Sequence, residues 1–286
     1  MAVSSSDRLR LGKISYLNVV PIYYPLESGI ISHPFAITAG TPADLNERMV
    51  RGELDLSVVS SIEYARYPGR YLILPDLSIS CRGPVRSVLL LSQRPIGEFS
   101  GRTILITSQS HTSVALLKIL LTRLLGLQVA FRSGSCTDAL TSGEPPTAML
   151  AIGDEALRLR ELDAYPYRLD LGESWLQWTG LPFVFALWVM QRQALEHGNG
   201  ALERGLEALR RAKAWGETHR REICEEAVKQ DILDLTQLHD YYQCLDYDLG
   251  PDQLAGLKLY FEHLVGLGEI GRVPPLQVYS RLACVA

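Results

Sequence analysis

The sequence predicts an α/β protein of two lobes, each a β-sheet flanked by helices. Three observations carry that expectation. Short apolar runs of strand length alternate with amphipathic helical segments, once before about residue 90 and again after it. The chain of 286 residues suits one large domain or two lobes of ordinary size. Hydrophobic content of 47% and charged content of 21% are globular values.

Residues 11–20 read as a buried strand running into a loop. Pro21 discourages helix just before it but is tolerated in a first helical turn. A short β-like stretch at 34–39 precedes Thr41-Pro42-Ala43-Asp44, a cap with proline at the first helical position. That helix runs through Leu45 and Met49 to Gly52. Residues 55–60 form a strand, and Ser60-Ser61-Ile62-Glu63 opens a short helix. The β-α-β-α order argues for a mostly parallel sheet. Residues 72–80 are less regular, and 85–92 (VRSVLLLS) is a strong strand.

The same grammar repeats with strands at 103–107, 129–132 and 148–152. A long helix follows Ser108 to Ser113 and ends at Gly126, and 136–140 is helical. Residues 167–171 are short and β-like, and Glu173, Trp175, Trp178 and Thr179 form an aromatic, polar wall or loop before Pro182. The apolar run 183–190 precedes a charged, helical tail with helices at 202–219, 221–235 and 252–265 and a proline-containing end at 273–278. The expected division is lobe 1 from 1–90 and 183–286, lobe 2 from 91–182, with a ligand cleft between them.

Lys+Arg 28 against Asp+Glu 32 gives a net charge of −4, which offers no broad positive field for nucleic acid. No apolar run approaches the roughly 18 residues of a spanning helix, so no membrane partner is expected. The five cysteines, Cys81, Cys136, Cys224, Cys244 and Cys284, are scattered and odd in number, as free thiols in a reducing compartment would be. The Ser-rich start lacks the apolar core of a secretory signal, and a cytoplasmic location is expected. No HExxH, GxSxG or P-loop occurs, and no His/Cys pair has metal-ligand spacing, so no structural zinc site is expected.

In such folds ligands bind beyond strand ends, where helix N-termini present free amides. Ser15-Tyr16-Leu17-Asn18, the serines from Ser57 to Ser61, Ser108 to Ser113, and Gly153-Asp154 occupy such positions, and Ser87 sits early in a strand. The hydroxyls of Ser110, Thr112 and Ser113 either grip a carboxylate or cap the helix that follows; His111 is a base candidate or a surface residue. Asn18 is a hydrogen-bond donor to a ligand oxygen or the keystone of an Asx-turn. Ser60 stands three before Glu63, which is also capping-box spacing. Arg82 and Arg86 either supply positive charge or face solvent.

These segments together resemble the menaquinone-biosynthesis family of the chorismate dehydratase type. The resemblance runs in order through RLGKISYLNVVPIYYPLE (10–27), LDLSVVSSIEYAR (54–66), RGPVRSVLLLS (82–92), TSQSHTSVALLKILL (107–121), AIGDEAL (151–157) and DLGESWLQWTGLPFVFALWV (170–189). It implies a two-lobed fold like periplasmic binding proteins of type II, and a lyase that removes water from the dianion chorismate. The implied product is 3-[(1-carboxyvinyl)oxy]benzoate, on the futalosine route, with no metal or cofactor. The family's key polar positions fall on Asn18 and Ser87 as catalytic residues. The expected substrate-binding set is Ser15, Tyr16, Ser60, Ser61, Ser110, His111, Thr112, Ser113, Gly153 and Asp154. His111 stands where many relatives are expected to carry arginine. The sister enzyme that makes 1,4-dihydroxy-6-naphthoate and a non-catalytic anion-binding protein share the implied fold. A homodimer is compatible with the sequence, which does not specify the oligomeric state.

Overall fold

The computed structural model describes residues 8–143, 145–196 and 200–280. Cys284, His197 and the Ser-rich start before Arg8 lie outside the described residues. Two five-stranded sheets organise the chain. The first has the order β2-β1-β3-β10-β4, from β1 (Leu9–Ile14), β2 (Phe35–Gly40), β3 (Leu56–Ser60), β4 (Tyr71–Cys81) and β10 (Phe183–Gln191). The second has the order β7-β6-β8-β5-β9, from β5 (Val88–Ser92), β6 (Thr103–Ile106), β7 (Ala130–Ser133), β8 (Ala148–Ile152) and β9 (Tyr167–Asp170). The central strands β3, β5, β8 and β10 are buried along their whole length. That is why they read as unbroken apolar runs, as strands covered on both faces do.

Both sheets are mixed, which corrects the expectation of mostly parallel pairing. β1 runs parallel to β2 and β3, but β10 is antiparallel to β3 and β4. β6 runs parallel to β7 and β8, while β5 is antiparallel to β8 and β9. The antiparallel strands are the ones that follow a passage from one sheet to the other, so they enter from the opposite end. The second sheet begins with β5 at Val88.

Several elements differ from their sequence patterns. The irregular stretch at 72–80 is the eleven-residue strand β4. Pro75 and a left-handed Asp76 (φ 55) break its alternation. Lys213 of α8 (Ala201–Thr218) holds that kink, donating to the Asp76 carbonyl at 2.9 Å and pairing with the carboxylates of Asp76 and Asp248. The presumed wall at 173–179 is the helix α7 (Leu171–Thr179), capped by the Asp170 carboxylate. Trp175 is buried in it against Phe183 and Tyr260. The single helix expected at 221–235 is α9 (Arg220–Ala227) with a 3-10 turn that ends at a left-handed Asp231. A separate helix α10 (Leu235–Cys244) then starts under an Asp234/Gln237 capping box.

The remaining helices are α1 (Val20–Glu27), α2 (Pro42–Val50), α3 (Ser61–Arg66), α4 (His111–Ile119), α5 (Cys136–Thr141), α6 (Gly153–Leu159) and α11 (Pro251–Gly266). Thr41 accepts from the Asp44 amide, as its cap position predicts. Cys81, Cys136, Cys224 and Cys244 are free thiols. Among the described residues, no helix is long and apolar enough to cross a membrane.

Candidate functional site

A cavity opens between the ends of the two sheets. Its walls come from both: Ile14, Asn18, Ser60, Ile79 and Phe185 on one side, Ser87, Val88, Ser110, Ser113, Ile152 and Gly153 on the other. Tyr16, Pro42, Val85, Ala186 and Leu245 complete the lining. Among the described residues, no lysine, arginine, aspartate or glutamate is in the lining. Apolar walls with a few convergent polar groups are the usual form of a small-molecule site.

Asn18 is the middle residue of a 3-10 turn, Leu17–Val19, between β1 and α1. Three backbone groups of that turn are tied by side chains from elsewhere in the chain. Leu17 N donates to Asp154 Oδ1 at 2.9 Å, Tyr242 Oη donates to the Leu17 carbonyl at 3.0 Å, and Tyr247 Oη donates to the Asn18 carbonyl at 2.7 Å. The side chain is left over. Asn18 Oδ1 is buried and has no partner among the described residues. An unsatisfied buried acceptor costs about 1–3 kcal/mol.

Ser87 approaches from the second sheet. The segment before it bends through two left-handed residues, Gly83 (φ 131) and Arg86 (φ 61). The half-buried Asp170 carboxylate holds that bend, accepting from Val85 N at 3.0 Å and Arg86 N at 2.7 Å while it also caps α7. Burial raises the Asp170 pKa, against these backbone donors. The Ser87 carbonyl accepts from Gly153 N at 2.7 Å, and its hydroxyl accepts from Tyr241 Oη at 3.1 Å.

The other expected residues divide into two groups. Tyr16, Ser60, Ser110, Ser113 and Gly153 line the cavity with Asn18 and Ser87. Ser110 caps α4 by accepting from Ser113 N at 3.3 Å, and the two hydroxyls are 3.1 Å apart. Ser60 makes no side-chain cap bond, so the capping-box spacing is not used. Its would-be partner Glu63 is buried, and desolvation pushes its pKa up to about 7. Gly153 is left-handed (φ 55), and a Cβ there would meet the Tyr16 ring at 2.9 Å. Only glycine lets that ring lie against the wall.

Ser15, Ser61, His111, Thr112 and Asp154 are not in the lining. Ser15 is exposed. Ser61 donates to the Val184 carbonyl at 2.7 Å, and Thr112 accepts from Ile62 N at 3.1 Å, so both tie helices to the core. His111 is exposed at the start of α4, with Nδ1 3.3 Å from an Arg66 guanidinium nitrogen. Partial desolvation and then that cation lower its pKa. Arg82 and Arg86 pair outside the cavity with Asp252 and Asp240. Among the described residues, no three His, Cys, Asp or Glu side chains gather as metal ligands.

Asp154 acts on the site from behind. Desolvation raises its pKa to about 6, against the Leu17 amide and Arg158. A carboxyl whose folded pKa lies above its ordinary 3.8 contributes stability that is full below about pH 3.8 and lost as pH rises through about 6. Asp154→Asn is expected to remove that part of the slope between pH 4 and 6, while the amide oxygen still accepts from Leu17. Denaturant titrations of both proteins across this range check it; parallel slopes would show that Asp154 titrates normally.

The contacts of Tyr241, Tyr242 and Tyr247 were not legible from single residues. The signal that was present is the Asp234-x-x-Gln237 capping pattern ahead of an apolar-periodic LxxLxxYY segment.

A family profile described as "Menaquinone biosynthesis" matches residues 9–265. A curated relative from Thermus thermophilus named chorismate dehydratase is 31% identical over 270 residues, which is 89% of this chain and 94% of that protein. A crystal structure of an Archaeoglobus fulgidus protein superposes with a TM-score of 0.75 at 18% identity, covering 93% of this chain and 100% of that one. The periplasmic aliphatic sulphonate binding protein SsuA of Escherichia coli superposes with a TM-score of 0.68 at 14% identity, covering 96% and 92%. The two-lobed α/β fold is therefore that of periplasmic binding proteins, and over nearly all its length the chain belongs to the menaquinone-biosynthesis family.

Proposed function

We propose that this protein is a cytoplasmic chorismate dehydratase that makes 3-[(1-carboxyvinyl)oxy]benzoate and water on the futalosine route to menaquinone. The observation that carries the reading is the meeting of Asn18 and Ser87, from opposite sheets, in one cavity lined, among the described residues, by no acidic or basic side chain. The named relative gives the substrate. We take the lobes to be the two sheets with their helices, joined by the passages before Val88 and before Phe183.

The reaction suits such a site. The proton on the ring carbon that bears the enolpyruvyl ether is removed, and its electron pair becomes the third ring double bond. The ring C–O bond breaks with its pair, and the hydroxyl leaves with a proton as water. Aromatisation drives the sequence, so no strong acid is required. What the protein must supply is orientation of the leaving oxygen and donors aimed where negative charge grows. The Asn18 amide and the Ser87 hydroxyl have that role. Neither is a base at neutral pH, and we assign proton removal to the substrate's own enolpyruvyl carboxylate. Ser110, Ser113 and the first amides of α4 hold a carboxylate. Apolar walls that exclude water strengthen each of these bonds.

Purified protein mixed with chorismate is expected to release the aromatic product. Conversion of cyclised futalosine to 1,4-dihydroxy-6-naphthoate instead would assign the sister reaction. Tight chorismate binding without turnover would make the protein a receptor. Ser110→Ala is expected to raise KM about tenfold with kcat little changed, because a carboxylate anchor acts in ground and transition states alike. A collapse of kcat at constant KM would remove Ser110 from the anchor.

A further inference from the structure

Three tyrosine hydroxyls from one C-terminal stretch reach the two segments that carry Asn18 and Ser87. Tyr241 and Tyr242 are neighbours on α10, and Tyr247 follows shortly after. Tyr242 and Tyr247 end on backbone carbonyls, at Leu17 and Asn18. Tyr241 ends on a side chain, the Ser87 hydroxyl, at 3.1 Å. We infer that Tyr241 is a positioning residue that orients and polarises the Ser87 hydroxyl toward the leaving oxygen. This rests on the dehydratase reading given above.

A serine hydroxyl has one hydrogen and two lone pairs. Accepting from Tyr241 occupies one lone pair and sets the direction of the remaining hydrogen. Its acceptor within the protein is the Val85 carbonyl at 3.4 Å, long for an O–H···O bond. A substrate oxygen in the cavity competes easily for that hydrogen. A hydroxyl that accepts a hydrogen bond is also a stronger donor, and the effect is largest where water is excluded. Tyr241 suits the task. It is fully buried beside Tyr242, and burial pushes its pKa upward, so it remains a donor at any working pH. Its contribution reaches the reacting atoms through Ser87 alone.

The dependence on Ser87 makes the inference testable by a double-mutant cycle. Tyr241→Phe keeps the ring and removes the donor. It is expected to lower kcat about tenfold and to change KM less than twofold. In a Ser87→Ala background the same substitution is expected to change kcat less than twofold. Tyr242→Phe removes an equally buried hydroxyl that serves the Leu17 carbonyl, so its effect is expected to be the same with or without Ser87. Melting curves of each variant verify that it is folded at the assay temperature. An equal loss from Tyr241→Phe in both backgrounds, or a single-variant kcat within twofold of the parent, would overturn the inference. The dehydratase reading is judged separately, by whether the parent protein turns chorismate over.

Discussion

Asn18→Ala is expected to lower kcat by about 10²–10³, or about 2.7–4 kcal/mol of transition-state stabilisation, without lowering the melting temperature. The two halves of that expectation have one cause. The turn that carries Asn18 is held by Asp154, Tyr242 and Tyr247 through backbone atoms, so its shape does not depend on the side chain. The side-chain oxygen is buried and unpartnered among the described residues, so removing it relieves an unsatisfied group rather than breaking a bond. A residue whose loss costs activity but not stability is the pattern of a site kept for function. Asn18→Asp is a useful companion, since it preserves shape and removes the donors while adding repulsion toward a dianion. Steady-state kinetics and a thermal melt of each variant decide the matter. A kcat within threefold of the parent would take Asn18 out of the mechanism.

Ser87→Ala is expected to lower kcat by about 10–10², and here stability falls as well. The hydroxyl accepts from a fully buried Tyr241, and its removal strands that donor. The stranded donor is worth about 1–3 kcal/mol of unfolding free energy. The contrast with Asn18 is the informative part. One cavity residue is free and the other is braced, so the two substitutions separate on a plot of activity against melting temperature. If Ser87→Ala melts with the parent, the Tyr241 bond contributes nothing to the fold. If its kcat matches the parent, Ser87 is no part of the transition state.

Much of the fold was readable because burial on both faces leaves an unmistakable residue pattern. LSVVS, VLLLS, AMLAI and FVFALWVMQ are apolar runs of strand length, and all four are buried strands. β4 was obscured by Pro75 and Asp76, since a kink braced by Lys213 from 137 positions along the chain interrupts alternation. α7 was obscured because Gly172 and the polar residues near it resemble a loop until the Asp170 cap is seen. In the site, Ser60, Ser110 and Ser113 were legible as hydroxyls beyond strand ends. Thr112 and Ser61 have the same local chemistry, but helix phase turns them toward Ile62 and Val184.

The sequence by itself determined the α/β alternation, the helix cap at Thr41, and the ordered set of segments that mark the family. Those are properties of short stretches, and short-range physics is written in neighbouring residues. Strand direction, the bend before Ser87 and the partners of Asn18 and Ser87 were decided only by the tertiary structure. Tyr241 lies 154 positions from Ser87, and Tyr247 lies 229 from Asn18. No local pattern encodes such pairings, because packing of distant helices against both sheets, rather than any neighbour in the chain, sets where those hydroxyls end.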